Sequence, residues 1–203
     1  MNYLGITMGD PAGVGPEIIV RALADKSIFK AGYIVYGAID IMKHYADLLD
    51  ISLNFKQISD VGEYTEDAVN VIDPAGLTMD QYEIGKLSPR CGDAAYRYVE
   101  RAIKDAMDKK TKGVVTAPLN KEALHKGGHN FDGHTEIFAT LTGTKKYAMM
   151  FYGPLKIMHV STHCSLREAC NRVKKERILD CIEMMDKALK STGLAAPEIA
   201  VAV

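Results

Sequence analysis

Four short stretches carry residues that could do chemistry, each where a predicted strand or turn leads into a helix. They are GDPAGVG at 9–15, APLNKEAL at 117–124, GHTEI at 133–137 and STHCSLRE at 161–168. Ligands of α/β proteins bind beyond the carboxyl ends of strands. Each stretch is therefore a candidate part of a binding or catalytic site.

The GHTEI stretch has the residues expected of an anion site. If a helix begins near Thr135, its first backbone N–H groups have no partner within the helix and can bind a phosphate or carboxylate. The imidazole of His134 and the hydroxyl of Thr135 would lie beside these N–H groups and could bind the same anion. The alternative is that Thr135 only caps the helix and that His134 is an ordinary, satisfied neighbour.

The first glycine stretch does not match a complete nucleotide-binding motif. Gly13 and Gly15 resemble the opening of the G-x-G-x-x-G fingerprint, but Ile18 occupies the third glycine position. A Walker A loop is excluded because no Gly-Lys-Ser/Thr follows, which disfavours a phosphate-transfer enzyme. The alternative is a tight turn that requires glycine, with Asp10 at the end of a strand.

In the second stretch, Asn120 is predicted to cap a short helix that ends at Gly127 or Gly128. Lys121 would then lie in the first turn, where a cation is unfavourable unless an anion is nearby. The alternative is that Lys121 is an ordinary surface lysine.

The fourth stretch contains a candidate metal ligand. Ser165 and Glu168 have the spacing of a capping box, which predicts a helix start at Ser165 and places His163 in the preceding turn. His163 is therefore a candidate ligand. His159 lies in a predicted strand, where ~3.3 Å per residue separates it from His163 by roughly 13 Å. The two histidines are not expected to share one ion.

The elements around these stretches predict an α/β fold with a largely parallel sheet, because strands and helices alternate. Helices are predicted at 16–25, 92–110 and 166–190, the last ended by Gly193. Residues 51–89 are expected to hold an excursion of short strands, and a domain boundary is predicted between residues 118 and 119. Six apolar runs have the length of buried strands: YLGITM, AGYIVYGA, KGVVTAP, KYAMMFYG, KIMHVST and EIAVAV.

Composition indicates a soluble cytoplasmic protein. The 203 residues carry a formal net charge of −1, so nothing favours nucleic acid or an anionic membrane surface as a partner. No apolar run approaches the ~20 residues of a membrane helix, and the amino terminus lacks the features of a secretory signal. The four cysteines have no C-x-x-C spacing, which favours reduced thiols.

Taken together, MGDPAGVGPEI, TAPLNKEAL, GHTEI and STHCSLRE resemble the 4-hydroxythreonine-4-phosphate dehydrogenase family in order and approximate separation. The resemblance implies a fold similar to the isocitrate and isopropylmalate dehydrogenases, with two α/β domains, residues 1–118 and 119–203, around a cleft and a homodimeric assembly. It also implies NAD-dependent oxidation of a phosphorylated four-carbon hydroxy acid, followed by decarboxylation. By this match His134 and Thr135 bind the substrate, and His163 is one of three histidine ligands of a divalent metal (zinc, magnesium, cobalt or manganese).

The family's members are longer than this chain. Their other two metal histidines, further phosphate ligands and much of the cofactor site follow the position that matches Val203, so the resemblance implies a second domain whose carboxyl-terminal part is missing. Two substrates remain open: 4-hydroxythreonine 4-phosphate of vitamin B6 biosynthesis, and a 4-phosphorylated threonate or erythronate of sugar-acid breakdown. A further alternative is a catalytically incompetent fragment that acts only in association or binding.

Overall fold

The computed structural model describes residues 3–25, 27 and 32–202, and contacts divide the chain into two units, residues 1–143 and 144–203. The first unit contains a five-stranded sheet in the order β3-β4-β2-β1-β5, and every neighbouring pair is parallel. This confirms the predicted α/β class. The strands are β1 (Tyr3–Thr7), β2 (Gly32–Tyr36), β3 (Phe55–Gln57), β4 (Val69–Ile72) and β5 (Val114–Thr116).

Five α-helices lie in the described part of the first unit. They are α1 (Gly15–Ala24), α2 (Ile39–Leu48), α3 (Pro89–Met107), α4 (Lys121–Lys126) and α5 (His134–Leu141). Helix α2 was not predicted, although its buried residues Ile41, Met42, Tyr45 and Ala46 have helical spacing. The predicted helices at 16–25 and 92–110 correspond to α1 and α3.

The order of the strands determines where the loops meet. From β1 the chain runs outward through β2 to β3 and β4. Helix α3 then leads back to β5, on the other side of β1. Right-handed crossovers that reverse direction in this way place their helices on opposite faces of a sheet. The loops after β1 and β5 therefore lie at a switch point, the usual place for a ligand crevice in an open α/β sheet.

A second hydrophobic cluster attaches α4 and α5 to α3. Its buried members are Val99 and Ile103 of α3, Leu124 of α4 and Ile137 of α5, each at most 3% exposed. Through this cluster α4 and α5 pack with the first unit, which extends to Gly143. The domain boundary expected between residues 118 and 119 stays a prediction.

The second unit contains an antiparallel hairpin and two helices. These are β6 (Met150–Tyr152), β7 (Lys156–Met158), α6 (Leu166–Arg172) and α7 (Lys175–Ser191). The guanidinium of Arg177 in α7 donates to the carbonyl oxygens of Val160 and Tyr147, at 2.9 and 3.1 Å, which attaches α7 to the chain on either side of the hairpin.

Two predictions for this unit were wrong. The single helix predicted at 166–190 is two helices, because the backbone leaves the helical conformation at Val173 and Lys174. The run EIAVAV is not a strand over its described residues 198–202, since no described strand pairs with it; Val203 lies outside the described residues.

The predicted terminator Gly193 is confirmed: its φ is +97°, and its N–H donates to the carbonyl of Lys190 at 3.1 Å.

Within the described part of the chain, no helix combines the length and the apolar character that crossing a membrane requires.

The α3–α4 contact depends on the absence of a side chain at Gly92. A Cβ placed there would lie 1.9 Å from the carbonyl oxygen of Ala123 in α4. We therefore expect Gly92→Ala to push α4 away from α3 and to destabilise the protein by about 1–3 kcal/mol or more, the usual cost of overpacking. Thermal or urea unfolding measures this change.

Gly113→Ala is the matched control, since its added Cβ would contact only the Leu4 side chain, at 4.0 Å. Equal stability of the two variants would show that α3 and α4 do not need this close approach.

Candidate anion site at the carboxyl edge of the sheet

The loops after β1 and β5 contact each other directly. The backbone N–H of Asp10 donates to the carbonyl oxygen of Pro118 at 2.9 Å. Gly9 has a φ of +71°, and a Cβ at that residue would lie 2.2 Å from the same oxygen. A Cβ at Gly15 would lie 2.1 Å from the carbonyl oxygen of Met8. The prediction of a tight turn that requires glycine is therefore confirmed.

Asp10 places a buried carboxyl at this edge. Its side chain is only 6% exposed, and one oxygen accepts a hydrogen bond from the N–H of Ala12 at 2.9 Å. Burial raises the pKa of this carboxyl above its ordinary value, and the bond from Ala12 opposes the rise. Because the folded state favours the protonated form, ionisation of Asp10 at neutral pH reduces stability.

Helix α4 starts directly after β5, as predicted. The Asn120 side chain accepts a hydrogen bond from the N–H of Ala123 at 3.0 Å, and the helix ends at Gly127. Lys121 is the first residue of the helix, and its side chain is exposed. Its Cε lies 3.9 Å from the position that a Cβ on Gly133 would occupy. The Lys121 side chain therefore extends to the residue that precedes α5.

Helix α5 begins at His134 without a side-chain cap. Gly133 is the N-cap residue, and Thr135 is the second residue of the helix, so the alternative that Thr135 is the cap was wrong. The first N–H groups of a helix have no carbonyl partner within it, and they form its positive end. The N–H groups of this first turn and the Thr135 hydroxyl are thus available to an anion, although Glu136 adds a carboxylate to the same turn.

His134 has an unsatisfied hydrogen-bonding atom. Its side chain is partly buried, and among the described residues its buried Nε2 atom has no hydrogen-bond partner. Burial lowers the pKa of His134, which favours the neutral ring. An unpaired buried polar atom costs about 1–3 kcal/mol. A ligand oxygen at this position would remove that cost.

The third predicted site residue, His163, lies in the second unit. It is exposed, it follows β7, and its φ of +50° is in the left-handed region, which costs a non-glycine residue about 1–2 kcal/mol. Backbone strain of this kind concentrates at functional sites. The helix start predicted at Ser165 is confirmed, because its hydroxyl accepts a hydrogen bond from the N–H of Glu168 at 3.3 Å. The Glu168 carboxylate pairs with Arg172 of the same helix.

The described residues do not complete a metal site around His163. In residues 3–25, 27 and 32–202, no group of three or more His, Cys, Asp or Glu side chains is placed to hold a metal ion. The ring of His159 packs edge-on against Phe151, with the ring centroids 5.0 Å apart. His163 therefore stays a predicted ligand for which these residues supply no complete set of partners.

A role for His129 was not predicted from the sequence. Its ring nitrogen Nε2 lies 2.9 Å from a carboxylate oxygen of Asp93 in α3, 36 positions earlier in the chain. No local spacing indicates such a pair, since it depends on how α4 packs against α3. His129 lies only a few residues before the GHTEI stretch, so its contact with Asp93 restrains the chain that leads into α5.

The lowered pKa of His134 predicts a measurable titration. Its ring should titrate below the ordinary histidine value of about 6.5, so its contribution to stability decreases as pH falls through that value. Added inorganic phosphate should raise this pKa, because an anion favours the imidazolium. Proton–carbon NMR of the ring measures both effects, and His134→Asn assigns the resonance. An ordinary pKa that phosphate leaves unchanged would contradict a buried ring beside an anion site.

Comparison with known proteins connects this geometry to a family. The chain is 41% identical over 203 residues to the D-threonate 4-phosphate dehydrogenase of Salmonella typhimurium and 40% identical over 205 residues to that of Cupriavidus necator. These alignments cover 98% and 99% of the chain but only 62% and 61% of the relatives.

A solved structure, the 4-hydroxythreonine-4-phosphate dehydrogenase of Klebsiella pneumoniae, superposes with a TM-score of 0.86 at 34% identity. The superposition covers 97% of this chain and 61% of the Klebsiella pneumoniae chain. The family model for the pyridoxal phosphate biosynthetic protein PdxA matches residues 30–203. The relatives named above are dehydrogenases. The chain therefore belongs to the PdxA family of enzymes.

Proposed function

We propose that the protein oxidises the secondary alcohol of a phosphorylated four-carbon hydroxy acid, and that the first turn of α5 binds the phosphate of that substrate. One observation carries this proposal. The uncapped start of α5 combines free N–H groups, the Thr135 hydroxyl and the unpaired Nε2 of His134. Hydrogen bonds to phosphate or carboxylate oxygens would satisfy all three kinds of group.

Among such acids, we favour D-threonate 4-phosphate as the substrate. The two curated relatives described above carry the name D-threonate 4-phosphate dehydrogenase, at 41% and 40% identity. The second candidate is 4-hydroxythreonine 4-phosphate, after which the Klebsiella pneumoniae relative is named. The two molecules share the phosphate and the secondary alcohol, so an anion site alone accepts either.

The residues of this chain would bind and orient the substrate. The positive end of α5 and the ammonium of Lys121 attract its anionic group, while the neutral ring of His134 hydrogen-bonds to one of its oxygens. A neutral ring suits this role because it can donate to an anionic oxygen or accept from a hydroxyl. Lys121 at the start of α4 is then favourable, since the bound anion offsets the repulsion between a cation and the helix dipole.

When bound, NAD would supply the hydride acceptor for oxidation at the alcohol carbon. The hydroxyl proton is released, and the resulting β-keto acid loses carbon dioxide. We further propose a divalent metal with His163 as one ligand, and a cytoplasmic homodimer, as in the resemblance stated above. The described residues do not complete the metal site, so no step of the reaction is assigned to the metal.

NADH formation by the protein at its natural length tests this function. We expect NADH from D-threonate 4-phosphate and none from D-threonate, because the anion site requires the phosphate. His134→Ala should lower kcat/KM roughly 10- to 100-fold, the effect of losing one hydrogen bond to a charged group, about 1.5–3 kcal/mol.

Thr140→Ala is the matched control, since Thr140 is exposed in the last turn of the same helix. A clear preference for 4-hydroxythreonine 4-phosphate would reverse the proposed order of substrates. Absence of NADH with both phosphorylated acids would refute the function.

A further inference from the structure

We propose that His129 is a positioning residue for the first turn of α5. Asp93 and Tyr96 of α3 hold His129, and His129 in turn fixes the α4–α5 turn, residues 127–133, which leads into that helix. This inference rests on the proposed function, because α5 is where the substrate anion would bind. His129 lies five residues before His134 and does not itself belong to the anion site.

The hydrogen bonds of His129 connect the turn to α3. Its Nε2 atom lies 2.9 Å from Oδ1 of Asp93, and the other oxygen of that carboxylate forms an ion pair with Nε of Arg97 at 2.8 Å. Arg97 thus restrains the carboxylate that holds the histidine. The backbone N–H of His129 also donates to the carbonyl oxygen of Leu124 in α4, at 3.1 Å. Both the ring and the backbone of His129 are therefore fixed.

Aromatic rings extend this attachment toward α5. The His129 ring stacks on Tyr96, with centroids 3.8 Å apart and an interplanar angle of 11°. The Tyr96 ring is also nearly parallel to that of Phe131, at 5.9 Å and 10°. The carbonyl oxygen of Phe131 lies 2.9 Å from Nε2 of His125 in α4. Only Asp132 and Gly133 separate Phe131 from the first residue of α5.

The turn has this role because α5 does not orient its own start. No side chain caps the helix at Gly133, and its buried contact with the second hydrophobic cluster is at Ile137, one turn later. Binding groups must be held to within about 0.5 Å to be effective. For the first turn of α5, the nearest fixed groups before the helix are His129 and Phe131.

Hydrogen exchange of the protein without ligand, combined with steady-state kinetics, tests the proposal. His129→Ala should speed exchange of the amides of residues 130–136 roughly tenfold, while the slow amides of the central sheet and the Tm change little. It should raise the KM for D-threonate 4-phosphate about tenfold and leave kcat nearly unchanged. His129→Gln should recover part of both effects, because its amide can still donate to Asp93.

Tyr96→Phe is the matched control, because it keeps the stacked ring and loses only the hydroxyl, which donates to Glu100 at 3.1 Å. Unchanged exchange at residues 130–136 in His129→Ala would overturn the role of His129. A uniform loss of protection across α3 and the sheet would also overturn it, since it would show a general structural role. Faster local exchange in a protein whose wild type forms no NADH would count against the proposed function alone.

Discussion

The close contact between α3 and α4 at Gly92 is the constraint on which the candidate site depends. Because Gly92 has no side chain, the backbone of α4 at Ala123 lies directly against α3. Leu124 and Ile137 then complete a hydrophobic cluster with α3, and this cluster holds α5 beside α4. The start of α5 consequently lies near the start of α4, which follows β5 at the carboxyl edge of the sheet. A change that separates α3 from α4 would displace the site without touching any of its binding groups.

The electrostatics of this edge favour an anion. Two helices begin close together, the start of α5 has no side-chain cap, and Lys121 of α4 brings a positive charge near it. Against this, Glu136 lies in the first turn of α5, and Asp10 is buried in the neighbouring loop, where burial raises its pKa. The neutral ring of His134 adds a hydrogen-bonding group without adding charge. In the proposed function, the phosphate of the substrate binds at the helix start and one further substrate oxygen binds at the imidazole.

Local patterns predicted the elements of this chain well, whereas its long-range contacts had no such signal. Features that depend on neighbouring residues were predicted correctly: the Asn120 and Ser165 caps, the glycine turn, and strands in five of the six apolar runs. The sixth run, EIAVAV, has strand composition, but a strand also needs a partner, which the described chain does not provide. The attachment of α4 and α5 to α3 and the pairing of His129 with Asp93 join residues far apart in the chain. Neither contact was predicted, although the first packs α4 and α5 with the first unit, which extends to Gly143.

Amide shifts during a titration with D-threonate 4-phosphate test the central claim most directly. In the nitrogen-15-labelled chain, the largest shifts should occur at His134, Thr135 and Glu136, with a smaller change at Lys121. Unphosphorylated D-threonate should move these resonances little, because the phosphate is their proposed partner. Shifts confined to the glycine turn at 9–15 or to the second unit, with the start of α5 unchanged, would contradict the account.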